Sequence, residues 1–168
     1  LRSVYLGLVF IRFVYIGEYY NNTTDFSNAA RVTVNAPNTT SGIDFALDKG
    51  GSIAGRVTDT STGLPLANFD IQAYHYDSGN YGGGASTDVN GDFVIQGLPS
   101  GDYRVQVYGR EGYIGEYYDN TTNYSSATRV SVTAPNTTSG IDFALERGGN
   151  IAGVITDAAT GLPLQDIY

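Results

Sequence analysis

One histidine, no cysteine and fourteen tyrosines bound the chemistry open to this chain of 168 residues. Without thiols there are no disulfides, thiolate zinc sites or cysteine nucleophiles, and one imidazole leaves no multi-histidine metal cluster. His75 stands between Tyr74 and Tyr76 in a run of strand character, where alternation sends both tyrosines to the face opposite the histidine. A solvent-facing or interface histidine is expected there rather than a general base. Asp88-Val89-Asn90-Gly91-Asp92 sets oxygen ligands at alternate positions, as a calcium loop does. Its glycine falls two places early for an EF-hand and no bidentate glutamate follows at the right spacing, so a hairpin turn is expected. Asp44, Asp48, Asp142 and Glu146 could meet at a junction, but no required metal, no cofactor and no catalytic residue is assigned.

Flat, amphipathic rings beside polar loops are surfaces on which sugars stack. Tyr74, Tyr76 and Tyr81 form one candidate sugar platform, and Tyr113, Tyr117 and Tyr118 another. The second set belongs to a YIGEYY string that occurs twice, which suits packing between modules as well as a ligand. Six Asn-x-Ser/Thr sites occur, at Asn21, Asn22, Asn38, Asn120, Asn123 and Asn136. Asn22, Asn38, Asn120 and Asn136 head recurring NTT triplets in expected loops and are the candidates for N-glycosylation.

Seventeen acidic against nine basic side chains give a net charge of −8, which argues against nucleic acid or an anionic membrane as partner. Only 15% of residues are charged while 22 are glycine, a profile of loop-rich β-proteins. The chain opens on Leu1, lacks methionine and stops soon after a turn signal, so a mature or partial chain is expected. Leu1–Ile16 is apolar but interrupted by Arg12, without a small-residue cleavage site and shorter than the ~20 residues of a membrane span. Its β-branched and aromatic residues suit a strand.

The elements that must position these groups follow from an internal repeat. Tyr15–Leu66 and Tyr113–Leu164 align without a gap at an offset of 98, with 38 identities over 52 positions. Upstream, Tyr5, Val9 and Arg12 fall on Tyr103, Val107 and Arg110. Taking Gly50-Gly51 and Gly148-Gly149 as joints, residues 50–147 make one complete module. Residues 1–49 are the C-terminal part of a preceding module, and residues 148–168 are the opening strands of a following one. Within the complete module, strands are expected at 52–58, 69–76, 84–87, 92–96, 103–108, 113–118, 129–133 and 141–145, separated by turn signals such as TSTGLP, VNGD and LPSGD. Many short strands in so few residues predict an all-β fold of tandem Greek-key β-sandwiches with a 98-residue repeat. The expected core is Ile53, Val57, Leu66, Ile71, Phe93, Ile95, Leu98, Val105, Val107, Val130, Val132, Ile141, Phe143 and Leu145.

The order GSIAGRVTD, TGLPL, Thr87-Asp88-x-x-Gly91-x-Phe93 and GLPSGDYRV resembles the carboxypeptidase regulatory-like domains. These have a transthyretin-like or Ig-like sandwich and recur in tandem on bacterial surface proteins. The resemblance implies scaffolding, adhesion or sugar contact without catalysis, outside the cell. Surface sandwiches of this kind sometimes carry a Lys–Asn or Lys–Asp isopeptide crosslink, but the one lysine is Lys49 and its repeat counterpart is Arg147, which cannot form that amide.

The expected function is therefore a segment of an extracellular fibre or surface array whose partners are copies of itself. A carbohydrate-binding adhesin module and an accessory domain of a secreted hydrolase are the alternatives. Strand complementation between neighbours would use Val4, Val9, Phe10, Ile11 and Phe13 of the opening run with Ile151, Val154 and Ile155 of the closing one.

Overall fold

The computed structural model describes residues 2–5, 8–9 and 14–165. In chain order the strands are β1 (Arg2–Tyr5), β2 (Leu8–Val9), β3 (Glu18–Tyr19), β4 (Val32–Asn35), β5 (Gly51–Asp59), β6 (Asp70–His75), β7 (Tyr81–Ser86), β8 (Asp92–Leu98), β9 (Gly101–Val107), β10 (Glu116–Tyr117), β11 (Val130–Val132), β12 (Thr137–Thr138) and β13 (Phe143–Leu145). Two short 3-10 turns, Phe26–Asn28 and Tyr124–Ser126, occupy equivalent places in the repeat and are capped by Asp25 and Asn123.

Residues 51–145 form a two-sheet β-sandwich. One sheet runs β10–β9–β6–β7, with β11 also paired to β9. In the other, β5 is central, antiparallel to β8 on one edge and parallel to β12 and β13 on the other. Alternation builds the layer between them. Ile53 and Val57 of β5, Phe93, Ile95 and Leu98 of β8, Ile71 and Ala73 of β6, and Tyr103, Val105 and Val107 of β9 are all buried. Each buried valine, leucine, isoleucine or phenylalanine among them contributes about 1.5–3 kcal/mol before chain entropy opposes it. Of the expected core only Leu66 is partly exposed; it packs against the cluster from its rim.

The expected strands are present with different bounds. β7 begins at Tyr81, ahead of the expected Gly84, because Gly82, Gly83 and Gly84 hide the alternation that would mark them. A Cβ on Gly82 would lie 2.8 Å from the Tyr103 ring, and one on Gly83 3.1 Å from Ile95. The expected strand at 113–118 is reduced to Glu116–Tyr117, since Gly109 and Gly115 cross with backbones in contact. A Cβ on Gly115 would stand 2.4 Å from the Gly109 nitrogen. Residues 151–156, in the segment expected to open a following module, form no ladder. Their backbone makes only the bridge Thr156–Pro163, and Ile151, Val154 and Ile155 are exposed.

The first 49 residues repeat the register of the sandwich. β1 pairs with β4 so that Tyr5 opposes Val32, and 98 residues on β9 pairs with β11 so that Tyr103 opposes Val130. β2–β3 places Val9 opposite Glu18, as β9–β10 places Val107 opposite Glu116.

Candidate functional site

Strand β6 sends Ile71, Ala73 and His75 to one side and Gln72 and Tyr74 to the other, and Tyr76 follows at its end. His75 is half-buried against the Tyr103 ring, with centroids 4.8 Å apart, and lines a cleft facing Tyr15 and Ile16. On the opposite face the Tyr74 and Tyr108 hydroxyls share a hydrogen bond of 2.7 Å, and Gln72 Oε1 lies within reach of both and accepts from the hydroxyl whose proton that bond does not use. The hydrogen bond with Tyr108 pushes the Tyr74 phenol up to about 12. Tyr81 meets Tyr74 edge-on, at 6.0 Å and 75°, and is 61% exposed.

Tyr76 is taken up by cations. The Arg104 guanidinium lies 3.7 Å and that of Arg129 4.1 Å from its ring centroid, and Arg104 also stacks 4.3 Å from Tyr124. Arg104 donates to the Tyr76 carbonyl and to the Tyr124 hydroxyl, and Arg129 pairs with Asp102 at 2.7 Å. The candidate platform of Tyr74, Tyr76 and Tyr81 is thus a crossed pair and a cation-stacked ring. Of the other tyrosines weighed, Tyr113 is buried, Tyr117 packs edge-on to Tyr124, and Tyr118 packs against Phe143.

The Asp88 loop closes as a turn: Asp88 Oδ1 accepts from the backbone N–H groups of Asn90 (2.8 Å) and Asp92 (2.9 Å). Asp92 is bound by Arg56 at 2.6 Å, and Asp142 accepts from the Arg56 backbone. Among the described residues no three His, Asp or Glu side chains gather as a metal site. Asn22 and Asn120 sit at positive φ in equivalent loops, and Asn38 and Asn136 in equivalent exposed turns, so all four NTT asparagines face solvent. Among the described residues no helix is long and apolar enough to cross a membrane. Of the residues expected to complement neighbours, Val4 lies in β1 and Val9 in β2; Phe10, Ile11 and Phe13 lie outside the described residues.

Sequence reasoning missed a latch that joins YIGEYY to the sandwich. The Tyr113 hydroxyl donates to Asp59 Oδ2 at 2.6 Å and accepts from Arg147 Nη2 at 2.7 Å, while its ring packs edge-on to Phe69 at 5.6 Å. Asp59 is also held by the Ser61 hydroxyl and the Ser61 and Thr62 N–H groups. The Ser61 hydroxyl first, then that of Tyr113, holds its carboxyl well below the usual carboxylate range. The one signal available was the recurrence of Tyr15 at Tyr113 and of Asp59 at Asp157.

Beside the latch lie the two joints. Gly50 N–H donates to the Val14 carbonyl at 2.8 Å and Ile16 N–H to that of Asp48 at 2.9 Å. The same two bonds recur from Gly148 to Gly112 and from Ile114 to Glu146, at the same lengths. Ile114, Glu116, Asn120, Thr121, Thr122, Thr60, Ala144 and Glu146 border an open cleft of about 430 Å³. Burial first, then Glu146, raises the pKa of Glu116, whose Oε1 is buried without a partner.

A comparison with curated proteins finds no match. Among solved structures, the minor pilin of Streptococcus agalactiae is 16% identical with a TM-score of 0.44, over 83% of this chain and 62% of that one. The major pilin subunit of Bacillus cereus is 15% identical at a TM-score of 0.38, over 59% and 30%. The 5-hydroxyisourate hydrolase of Klebsiella pneumoniae is 18% identical at 0.37, over 59% and 92%. The chain thus spans less than two thirds of either pilin, and likenesses this loose assign no activity. Residues 52–146, which hold both sheets, match the sequence profile of the carboxypeptidase regulatory-like domain, and the chain belongs to that family.

Proposed function

We propose that the chain is a segment of an extracellular bacterial surface array or fibre, made of carboxypeptidase regulatory-like sandwiches that follow one another end to end and do no chemistry of their own. In this reading residues 1–49 close one module, 50–147 form the next, and 148–168 open a third. The observation that carries it is the identity of the two joints. Chain entry and exit are held by the same backbone hydrogen bonds 98 residues apart, which favours a fixed step over a free hinge.

Neighbours, as separate copies or as the continuing chain of a longer array, supply the strands that the ends lack; the two ends paired together would still want counterparts of residues 74–101. Ile151, Val154 and Ile155 expose apolar surface on backbone with no ladder partner, which is the edge that a second chain pairs with. Contacts between unlike ends propagate as filaments rather than closing as dimers. Deleting residues 148–168 is expected to abolish filaments seen by electron microscopy while the remaining chain still melts cooperatively. Filaments of normal length from the shortened chain would overturn strand complementation.

A second reading, glycan contact, rests on Tyr81, an exposed ring on the rim of the cleft at His75. Glycan-array binding by the full chain that disappears in Tyr81→Ala would establish it.

A further inference from the structure

At the first joint, Tyr15, Ile16, Gly17 and Thr24 sit across a cleft of about 320 Å³ from His75, Tyr81–Gly84, Gln96, Gly97 and Pro99 of the complete sandwich. Their counterparts 98 residues on are Tyr113, Ile114, Gly115 and Thr122. Ile114 and Thr122 border the open cleft described above, and Ile114 is 44% exposed where Ile16 is half-buried. We infer that the surface formed by Ile114, Thr122, Thr60 and Glu146 is the seat of the next sandwich, which docks through its own equivalents of His75, Tyr81–Gly84, Gln96, Gly97 and Pro99. The inference rests on the array reading in its continuing-chain form, in which the third module is complete, and names the surface through which that array is held.

Three observations carry it. The chain leaves both joints through the same pair of hydrogen bonds, so whatever follows Gly148 starts in the orientation in which the sandwich follows Gly50. The continuing chain begins at the proposed seat, for a Cβ on Gly148 would lie 3.4 Å from Ile114 Cγ1. The third is the difference between two identical glycines. At Gly50 a Cβ would stand 2.4 Å from the Gly97 carbonyl carbon, so the joint is pressed against the end of β8 of its own sandwich. At Gly148 the nearest atoms are those of Ile114 and Gly112, both in the half that precedes the joint. The strand end that would press on Gly148 is that of the next module.

Glu116 is not the group that the neighbour satisfies. Its repeat mate Glu18 also buries an unpartnered Oε1, at the joint where the neighbour is already seated.

The chain lacks cysteine, so paired spin labels report the geometry without interference. The full chain is continued after Tyr168 by a second copy of residues 71–147, completing the third module. One pair, Ser41→Cys with Asn90→Cys, spans the observed joint; all these positions are exposed. The other, Ser139→Cys with Asn90→Cys of the appended copy, spans the proposed one. Electron–electron resonance should give the same narrow distance distribution for both pairs. Ile114→Asp should broaden the second at least twofold and leave the first unchanged. A narrow first pair with a broad or displaced second pair would overturn the seat and leave the array standing. Two broad distributions would overturn both, and indifference to Ile114→Asp would remove the seat from this surface.

Discussion

Two carboxyl groups near the latch respond to acid in opposite senses. Asp59 titrates below its ordinary value of 3.8, so its contribution to stability is complete above that pH and is lost as pH falls through its lowered folded value. Tyr113→Phe removes one of the donors responsible. The full chain should then melt several degrees lower near neutrality, and its stability should fall less steeply on acidification, as read by thermal unfolding across pH 2–7 on the scale of about one hydrogen bond to a charged group. Glu116 titrates above its ordinary 4.5, so the fold favours the neutral acid and loses stability as pH rises through that region. Glu116→Gln should flatten that upper limb and leave the acid limb intact. A parallel shift of both limbs would contradict these assignments. Neither partner was legible in the sequence, because Tyr113 and Asp59 are 54 residues apart. The repeat marks such residues as recurring without saying what they touch.

At the scale of the element, hydrophobic alternation was enough to place β5, β6, β8 and β9 and nearly all of the core they bury. It failed where side chains are missing or where backbones cross. Tyr81–Gly84 carries no apolar pattern, and Tyr113–Tyr118 carries one that the Gly109–Gly115 crossing prevents from forming a ladder. Phe69, just before β6, is buried by both the core and Tyr113, and Phe69→Ala should cost about 3–5 kcal/mol in denaturant unfolding. Gly55 and Gly153 are the same position of the repeat, yet their surroundings differ. A Cβ on Gly55 would lie 1.9 Å from the Ile141 carbonyl oxygen, whereas nothing lies within 4 Å of one on Gly153. Gly55→Ala must push β5 away from Ile141, whose N–H bonds Ala54, and from β13 beyond it. It should abolish cooperative unfolding or lower the midpoint by more than ten degrees, on the order of the overpacking penalties of 1–3 kcal/mol or more known for tight cores. Gly153→Ala should leave the melting curve unchanged, and equal effects at the two positions would refute this account.

For the whole molecule, the sequence repeat brackets the sandwich at 51–145, and the stability of each part depends on how much packed sheet it contains. Residues 51–145 contain both sheets of the sandwich and the whole of its buried cluster. Residues 149–165 have the same sequence signals as 51–67 but only local bonds: Asp157 N–H to the Leu162 carbonyl, Gly161 N–H to that of Asp157, and Leu164 N–H to that of Ile155. Local bonds without a packed face protect backbone poorly, and such segments open with free energies near zero. Limited proteolysis of the full chain should therefore cut first within 149–165 and leave a fragment ending near Arg147 with an unchanged melting midpoint. Metal removal should be equally silent. The Asp59, Asp88, Asp92 and Asp102 carboxylates are already bound by N–H, hydroxyl or guanidinium donors, so chelation should move the midpoint by less than a degree. In filaments the same 149–165 segment would gain a sheet partner. Its cleavage rate should then fall at least tenfold relative to the free chain, which ties protection of this one segment to assembly. Protection without filaments, or filaments without protection, would break that link.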